Sequence, residues 1–551
     1  MTHTPRLRLD HYNVRTVHLT ETITFYRDIV GLKEGPLPSK RPGAWMYDRS
    51  DTPVVHITGA VAGNAEAQAV LDAHLGTKDH STLQGSGAID HVAFDAPDFE
   101  DFRVRLQGHG IAFKEREVPE MSLKQLFIED PNGITVELNF RAQPSALEQG
   151  GTSSATDSSQ DAYQGAVAQA RALIPSLRAS ARETQDAGRA LDSVVDKLHS
   201  AGLFRIVQPK RVGGLELAPM IFFDVCSELA KGCASTSWVL GNIASHHLML
   251  AHWPEQAQQE IWGRSPDILI GSSYVFPAGK AERVAGGYML SGSWPFSSGI
   301  DPCEWVQLGG MVAAQGEQPE EKRYFLLPRQ SYEILETWDV AGLAGTGSKD
   351  VLVAQVFVPD YRTVSYQDVI RCTSPGLKAN PQALFRFPFW AAGGYVLVSS
   401  LYGAAVGALE QFSQKARQTA AHSSGQGISS HVTLQQRLAR ASALLDGVEL
   451  IVRRRLQDIQ QMIETTGEVD PAYGVKARRD AAYCARCCVE AIDLVFDAAG
   501  GSALYSSNPL QRAWRDIHAG AANFTLQWDV VGPAYGRVML GLPSGLPGLP
   551  L

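Results

Sequence analysis

The spacing of hydrophobic and polar positions changes several times along the 551 residues of the chain. Residues 1–142 alternate in short segments separated by Gly, Pro and Asp turns, which predicts strands with short helices. Residues 166–207 and 219–262 carry helical periods, 268–360 alternate like an antiparallel sheet, and 385–540 are helical again. The pattern predicts a multidomain α+β protein.

A composition break separates the first part of the chain from the rest. Residues 143–160 are dominated by Ser, Thr, Gly and Gln and lack hydrophobic periodicity, which indicates a linker. We therefore expect an N-terminal domain at 1–142. The remainder is expected to form an N-terminal helical domain at 161–265, a β domain at 266–365 and a C-terminal helical domain at 366–551.

The N-terminal part contains an internal repeat. The segment LDHYNV, which holds His11, matches IDHVAF, which holds His91, and each copy is closed by a strand, PVVHIT with His56 or ITVELNF with Glu137. The two offsets are 45 and 46 residues. Two βαβββ units would deliver these four side chains to one cleft, where an imidazole or carboxylate is costly unless it is paired or bound to metal. The repeat therefore predicts a metal site.

These segments, with FYRDIVGL, GAWMYD and IEDPNG, resemble the vicinal oxygen chelate superfamily over about residues 8–140. This superfamily includes glyoxalases and type I extradiol dioxygenases. The resemblance to the extradiol enzymes implies a divalent metal, Fe(II), held by His11, His91 and Glu137. Two imidazoles and one carboxylate leave open positions on the metal for a catecholate and O2.

Two positions keep the reaction of this domain open. His56 stands where extradiol enzymes keep an acid–base histidine, but the same strand supplies a fourth metal ligand in glyoxalase-like members. Phe127 replaces the tyrosine that extradiol enzymes commonly carry ten residues before the glutamate. Ring cleavage is the leading interpretation. An isomerase or lyase step, and a non-catalytic substrate-binding domain, are the alternatives.

A second resemblance spans about residues 163–540. It rests on LHSAGLFRIVQPKRVGGLEL, CASTSWVLGNIASHHLMLAHWP, GYMLSGSWPFSSGIDPCEWVQLGG, GLAGTGSKDVLVAQVFVPD and GGSALYSSNPLQRAWRDIHAG. These stretches resemble the acyl-CoA dehydrogenase fold and, more narrowly, the oxygenase components of two-component flavin-dependent aromatic hydroxylases. The resemblance implies a middle β-barrel, a C-terminal four-helix bundle, and a homotetramer in which a neighbouring subunit completes the flavin site. It also implies reduced FMN or FAD as cofactor and a separate flavin reductase.

The sequence favours oxygenation over acyl-CoA dehydrogenation. Dehydrogenases of this fold carry a catalytic glutamate nine residues after the arginine of an Arg-Asp pair. From Arg515 this offset leads to Phe524, and no carboxylate lies between Asp516 and Asp529. Proton abstraction from an acyl-CoA therefore has no base at this place.

By resemblance to the hydroxylases, Ser298 in PFSSG lies near flavin N5, and His246, with His247 as its neighbour, acts at the phenol of the substrate. His518 stands for the first of two active-site histidines, but Asn523 replaces the second and cannot serve as a base. The implied flavin contacts are Trp238, Ser272, Ser273, Ser298, Thr346, Ser348, Arg386, Ser502, Arg512 and Arg515.

Composition narrows the partners. The net charge of −9 is spread along the chain without a basic run, so nucleic acid is not expected. The chain start lacks an apolar signal region, and the most apolar stretch, residues 387–409, reads as a buried helix, so we expect a cytoplasmic protein without a membrane partner. Seven cysteines, none in the first 225 residues, are expected to be reduced packing residues.

The favoured hypothesis from the sequence is a bifunctional oxygenase. The flavin part would hydroxylate a phenolic or polycyclic aromatic substrate with O2, and the metal domain would then open the dihydroxylated ring. No GxGxxG follows a first strand, so no nicotinamide site is expected.

Overall fold

The computed structural model describes residues 12–35, 43–48, 53–59, 92–95, 99–118, 123–141, 153–418 and 428–546. The chain divides into two compact units, Met1–Ser154 and Ala155–Leu551. Two predicted metal ligands, His11 and His91, lie outside the described residues.

The smaller unit contains two four-stranded sheets, one from each copy of the repeat. The first has β1 (Tyr12–Thr16), β2 (Lys33–Gly35), β3 (Gly43–Tyr47) and β4 (Pro53–Gly59) in the order β1-β4-β3-β2. The second has β5 (Val92–Asp95), β6 (Phe113–Val118), β7 (Leu123–Glu129) and β8 (Thr135–Arg141) in the order β5-β8-β7-β6. Helix α1 (Leu19–Thr24), continued by a π-helical turn at Phe25–Ile29, and helix α2 (Phe99–Gly108) complete the two βαβββ units.

Alternation along the strands places the core of the smaller unit on one face of each sheet. Val55 and Ile57 of β4 are buried together with Val136 and Leu138 of β8. Because successive side chains point to opposite faces of a strand, the residues between them belong to the other face. The closing strand of each half therefore turns its Val55–Ile57 or Val136–Leu138 face towards the core.

Five helices open the larger unit. They are α3 (Ser153–Asp186), α4 (Asp192–Ser200), α5 (Met220–Ala230), α6 (Ala234–Leu250) and α7 (Glu255–Trp262). Helix α3 begins inside the predicted linker, so residues 153–160 of that segment are helical. Elongation of an existing helix costs little, which explains why its weakly periodic first turns are helical. Helix α6 is buried on all sides except at Asn242, and it supplies several of the side chains described below.

An eight-stranded sheet follows. Its strands are β9 (Ile270–Ser273), β10 (Gly279–Val284), β11 (Gly287–Ser297), β12 (Trp305–Val312), β13 (Glu321–Pro328), β14 (Glu333–Leu335), β15 (Lys349–Pro359) and β16 (Thr363–Ser365). The order is β14-β15-β11-β10-β12-β13-β16, with β9 paired to β12. In the part of the chain that the structure describes, this path ends at β14 and β16 instead of closing, so the expected β-barrel is an open sheet. Both end strands have only three residues.

The C-terminal region is helical, as the periodicity predicts. It contains α8 (Tyr366–Ile370), α9 (Phe389–Gln418), α10 (Val432–Thr466), α11 (Pro471–Ala499), α12 (Pro509–Ala521) and α13 (Trp528–Met539). Helix α11 packs against α9, α10, α12 and α13, so the expected four-helix bundle has five members, with α11 at the centre of the other four. All seven cysteines of the chain are free thiols, and six are buried.

Helix α9 is apolar because it lies in the interior. Within the described ranges it is the one helix long and apolar enough to cross a membrane, but 78% of its most apolar window is buried inside the protein. A core helix passes the same test of length and composition. Helix α9 also approaches α5 closely, since a Cβ atom at Gly403 would overlap the backbone of Ser227.

Candidate functional site

The larger unit holds a cavity of about 770 Å³ that is lined by residues of the sheet and of α6, α9, α11 and α12. Aromatic and aliphatic side chains dominate its wall. Apart from tyrosine and tryptophan, the polar members of the lining are Asn242, Ser245, His252, Ser272, Ser273, Ser298, Ser348, Arg478, Asn523, Thr525 and Gln527. A large apolar cavity with a few polar groups is typical of a small-molecule site.

A chain of hydrogen bonds crosses one part of this wall. The indole Nε1 of Trp238 donates to Ser298 Oγ at 3.2 Å, and Ser298 Oγ lies 2.8 Å from Ser348 Oγ. Ser348 Oγ in turn lies 2.7 Å from Thr346 Oγ1, which donates to the Leu343 carbonyl at 2.8 Å. Trp238, Ser298 and Ser348 line the cavity, and Thr346 lies behind them.

The two ends of this chain fix its direction. The indole can only donate and the Leu343 carbonyl can only accept, so Ser298 donates to Ser348 and Ser348 donates to Thr346. Each hydroxyl proton is therefore already used inside the protein. Ser298 and Ser348 can offer only lone pairs to a group in the cavity, and they suit a ligand that presents N–H donors.

A second polar pair joins the cavity to a buried histidine on α6. His246 Nε2 lies 2.7 Å from Ser272 Oγ, and His246 Nδ1 bonds the carbonyl of Ile270. Because a carbonyl only accepts, Nδ1 carries the proton, and Nε2 accepts from the Ser272 hydroxyl. Burial lowers the pKa of His246 to about 4, so the ring is neutral at pH 7.

His246 is not itself among the residues that line the cavity, whereas Ser272 is. Its neighbour His247 is held elsewhere: Trp262 Nε1 donates to His247 Nδ1 at 3.1 Å, and burial lowers the pKa of His247 to about 3. Of the two candidate histidines, only His246 connects to the cavity, and it does so through Ser272.

The periodicity of the sequence did not point to His252. This residue follows α6 and lines the cavity, with Nδ1 at 2.5 Å from Ser374 Oγ. Burial lowers its pKa to about 4. It lies beyond the last residue of the helix, and its partner is 122 residues away. The only signal was a third histidine in SHHLMLAHWP.

The predicted residues on and after α12 occupy different surroundings. Asn523 lines the cavity, and its Oδ1 caps the next turn by accepting from the backbone N–H of Thr525 at 2.9 Å. His518 is not in the lining. Its Nε2 lies 2.9 Å from Asp493 Oδ1, and its ring packs on Trp514 with centroids 4.4 Å apart.

A smaller cavity of about 310 Å³ brings Ser502 and Arg512 together. Its wall also contains Asp516, which accepts the Leu343 N–H at 2.7 Å and whose pKa burial raises to about 6. Arg178 and Lys231 add positive charge. This set suits an anionic group, such as the phosphate that a flavin carries.

The remaining predicted flavin contacts lie apart from that set. Arg515 binds neutral oxygens, with Nε at 2.8 Å from Gln511 Oε1 and NH2 at 2.6 Å from Gln185 Oε1. It therefore ties α12 to α3. Arg386 is in the wall of neither cavity. Ser273 lines the larger one while its hydroxyl donates to the Pro295 carbonyl at 2.7 Å.

Strand register relates the two described metal candidates in the smaller unit. In the first half Asn13 of β1 pairs with His56, and in the second Ala93 of β5 pairs with Glu137. His56 and Glu137 thus occupy equivalent positions, because their partners Asn13 and Ala93 each follow a predicted metal ligand, His11 or His91, by two residues in the sequence. The second half carries one extra residue between its paired strands, which accounts for the unequal offsets.

The side chains beside these two positions differ. Trp45 of β3 pairs with His56, and their rings stack with centroids 4.0 Å apart and an interplanar angle of 3°. Phe127 is the equivalent neighbour of Glu137, which is 6% exposed and accepts from Gln125 Nε2 at 2.7 Å. Among the described residues no three His, Cys, Asp or Glu side chains form a metal-binding group. The complete set would require His11 and His91, which lie outside them.

Comparisons with known proteins identify both parts of the chain. Residues 161–265 and 395–528 match the models of the acyl-CoA dehydrogenase N-terminal and C-terminal domains. Over 373 residues the chain is 34% identical to the flavin-dependent monooxygenase, oxygenase subunit HsaA, of Rhodococcus jostii, across 68% of this chain and 97% of the relative. The chain belongs to the family of flavin-dependent monooxygenase oxygenase subunits. A further relative is the oxygenase component of the FADH(2)-dependent resorcinol hydroxylase of Rhizobium sp., 35% identical over 67% of this chain and 92% of its own length.

Solved structures agree with this assignment. The crystal structure of 3-HSA hydroxylase from Rhodococcus sp. RHA1 superposes with a TM-score of 0.65 at 34% identity, over 68% of this chain and 96% of that one. XiaF from Streptomyces sp., solved with FADH2 and glycerol, gives a TM-score of 0.67 at 26% identity, over 72% and 100%. Residues 8–138 match the glyoxalase/bleomycin resistance protein/dioxygenase superfamily. This oxygenase subunit therefore carries a glyoxalase-superfamily domain in the same chain, and both resemblances read from the sequence are confirmed.

Proposed function

We propose that the larger unit of this oxygenase subunit hydroxylates a phenolic or polycyclic aromatic substrate with reduced flavin from a separate reductase. The observation that carries the proposal is the cavity of about 770 Å³, whose wall contains both the Trp238–Ser298–Ser348 chain and Ser272. The hydroxyls of Ser298 and Ser348 suit a flat ring with N–H groups, and the hydroxyl of Ser272 suits a phenol.

These hydrogen-bond acceptors fit the reduced form of a flavin ring. Ser298 and Ser348 present lone pairs, and a reduced flavin presents N–H groups where the oxidised ring has an acceptor. When bound, the flavin supplies the two electrons with which O2 is activated, so that one oxygen atom enters the substrate and the other leaves as water. Ser502 and Arg512 of the smaller cavity would hold a flavin phosphate, which both FMN and FAD carry.

Ser272 and His246 would deprotonate the phenol. The Ser272 hydroxyl already donates to His246 Nε2, so its lone pairs are available to a phenolic O–H. As the phenol gives its proton to Ser272, Ser272 passes its own proton to the neutral imidazole. The imidazole of His246 is buried, which keeps water away from the nitrogen that receives the proton.

The test combines this protein with a general flavin reductase, NADH and a panel of simple phenols, and measures hydroxylated product. Ser272→Ala should lower the rate by about 100-fold or more, the usual size of a general-base contribution. Ser245→Ala is the matched control, because Ser245 lines the same cavity but donates to the carbonyl of Asn242 in its own helix. Electron transfer from an acyl-CoA to the flavin, without oxygenation, would contradict the proposal.

We further propose that the N-terminal domain holds a divalent metal, Fe(II), through His11, His91 and Glu137, and opens the ring of the dihydroxylated product. The equivalent register of His56 and Glu137 supports a paired site. His56 would act as acid and base or as a fourth ligand. Tethering both sites in one chain would raise the local concentration of an oxidisable intermediate.

Metal content of the full chain tests this second proposal. Glu137→Gln should lower the bound metal, whereas Glu129→Gln, an exposed position of the neighbouring strand, should leave it unchanged. Bound iron with O2 uptake on a catechol supports ring cleavage. A redox-inert divalent ion without O2 uptake would favour an isomerase or lyase step, and a metal-free protein would favour a substrate-binding domain. The predicted homotetramer can be tested by sedimentation of the same preparation.

A further inference from the structure

The wall of the larger cavity contains one permanently charged side chain among the described residues, Arg478 of α11. Its Nε atom is buried without a hydrogen-bond partner, and none of the carboxylates in the described ranges forms an ion pair with it. Its neighbours differ: Arg479 binds Asp480, and Arg455 binds Asp480 at 2.6 Å. Arg478 thus differs from Arg479 and Arg455, which share the carboxylate of Asp480.

An uncompensated guanidinium beside a cavity is costly. A charge that leaves water loses solvation energy that only a counter-ion or a full set of hydrogen bonds restores. The burial of Arg478 lowers its pKa, in keeping with that cost, yet an arginine side chain stays protonated in a protein. The cavity therefore contains a positive charge that the chain itself does not neutralise.

Aromatic contacts locate this charge relative to Ser272 and His246. The ring of His246 meets Tyr274 with centroids 6.2 Å apart, Tyr274 meets Tyr324 at 5.1 Å, and Tyr324 meets Tyr366 at 6.0 Å. Tyr366 and Arg478 both line the cavity, and the charge of a Tyr366 phenolate would oppose the fall in the pKa of Arg478. Three successive ring contacts therefore lead from His246 to Tyr366, at the end of the row that is assigned to Arg478.

A second cation lies at the same end of this row. Lys322 Nζ stands over the ring of Tyr366, 5.4 Å from its centroid, and Tyr366 also lines the cavity. The end of the cavity near Tyr366 is therefore positive, while the end near Ser272 is neutral and hydrogen-bonding. A substrate with two different ends would be oriented by this difference.

We propose that Arg478 binds a carboxylate on the substrate, so that the preferred substrates are aromatic acids with a phenol at one end and a carboxylate at the other. The planar guanidinium matches a carboxylate with paired N–H···O bonds, which a neutral amide or ester cannot reproduce. This inference rests on the proposed hydroxylation, because it places the phenol at Ser272. Arg478 is then a specificity-determining residue and takes no part in proton transfer.

The test compares two probes of the same shape, 3-(4-hydroxyphenyl)propanoate and its primary amide. Binding is measured by equilibrium dialysis against the full-length protein loaded with reduced flavin under nitrogen, and kcat and KM are measured separately in air. The wild type should bind the acid at least about tenfold more tightly than the amide, the usual size of a hydrogen bond to a charged group. The preference should appear in KM and leave kcat nearly unchanged.

Three variants make the result specific. Arg478→Gln should abolish the preference for the acid, and Arg478→Lys, which keeps the charge but not the planar fork, should retain part of it. Arg486→Gln is the control, because Arg486 is exposed on the same helix, and it should behave like the wild type. Circular dichroism confirms that each variant is folded, and the lysine variant alone decides the question if the glutamine variant is not.

Several outcomes would overturn the inference. Equal binding of acid and amide by the wild type, or an unchanged preference for the acid in Arg478→Gln, would show that Arg478 does not bind the carboxylate of the substrate. Weaker flavin binding by Arg478→Gln, with the preference intact, would assign the arginine to a flavin phosphate. If both probes are hydroxylated equally well, the hydroxylase function stands and the role of Arg478 falls. If no phenol is hydroxylated, the proposed function itself falls.

Discussion

Replacing His246 with Asn should reduce the amount of unfolding free energy that the larger unit loses at acidic pH. In an unfolded chain a histidine has a pKa of about 6.5, whereas burial lowers the pKa of His246 to about 4. Between these values the unfolded chain binds a proton that the folded chain does not. Stability is therefore lost as the pH falls from about 6.5 towards 4, and it is unaffected above about 7.

The size of this effect follows from the two titration curves. At pH 5 the histidine is almost fully protonated in the unfolded chain and about nine-tenths neutral in the folded one, so this residue alone costs about 2 kcal/mol. Asparagine does not titrate here and can still donate to the Ile270 carbonyl. Between pH 7.5 and 5, the wild type should lose about 2 kcal/mol more unfolding free energy than His246→Asn.

Urea unfolding at the two pH values measures this difference. Nine of the ten tryptophans lie in the larger unit, so tryptophan fluorescence reports mainly on that unit. Protein concentration is held constant, because association shifts apparent stability. His431→Asn, at an exposed position, is the control and should follow the wild type. If His246→Asn loses as much stability on acidification as the wild type, the neutral state assigned to His246 is wrong.

Three further predictions concern other positions. Ser298→Ala interrupts the chain of hydrogen bonds from Trp238 to Leu343, so it should weaken the binding of reduced flavin by about tenfold, the value of one hydrogen bond, and raise the share of O2 released as hydrogen peroxide. Anaerobic flavin titration and a peroxide assay measure these two effects, and an unchanged affinity would remove Ser298 from the flavin site. Gly403→Ala should destabilise the protein by about 1–3 kcal/mol through overpacking, whereas Gly447→Ala, where the added methyl meets open space, should stabilise α10 by up to about 1 kcal/mol. Urea unfolding measures both free energies, and equal effects of the two substitutions would contradict the packing of α9 on α5. Burial raises the pKa of Asp516 to about 6, so its contribution to stability is present below about pH 4 and is lost as the pH rises through 6. Between pH 4 and 7, the unfolding free energy of Asp516→Asn should therefore rise by up to about 3 kcal/mol relative to that of the wild type, and a constant difference between the two proteins would refute this.

Local patterns of the sequence predicted most of the architecture. The repeat in the N-terminal part placed His56 and Glu137 at equivalent positions, and the strand register agrees, because alternation and copy number are properties of neighbouring residues. The helical periods after residue 160 likewise match α3 to α7 and α9 to α13. The open path of the sheet was not predictable, since closure depends on which distant strands pair.

The cavity was harder to predict, because its wall is assembled from distant segments. Ser272 and His246 are 26 residues apart and belong to a strand and a helix, so no spacing rule joins them. Arg478 looks like any other arginine on an amphipathic helix until its surroundings show that it lacks a carboxylate. His518, which the motif assigns to the site, pairs with Asp493 and is absent from the lining of the cavity, so its role stays a prediction.

The position of His246 behind Ser272 has a consequence for the kinds of phenol that the cavity can use. An imidazole that stays neutral down to about pH 4 is a weak base, and it can hold a proton only while the newly formed phenolate remains beside it. The transfer should therefore become easier as the phenol becomes more acidic. Among substrates of equal size, halogenated or nitrated phenols should outpace alkylated ones, and the enzyme should select by acidity as well as by shape.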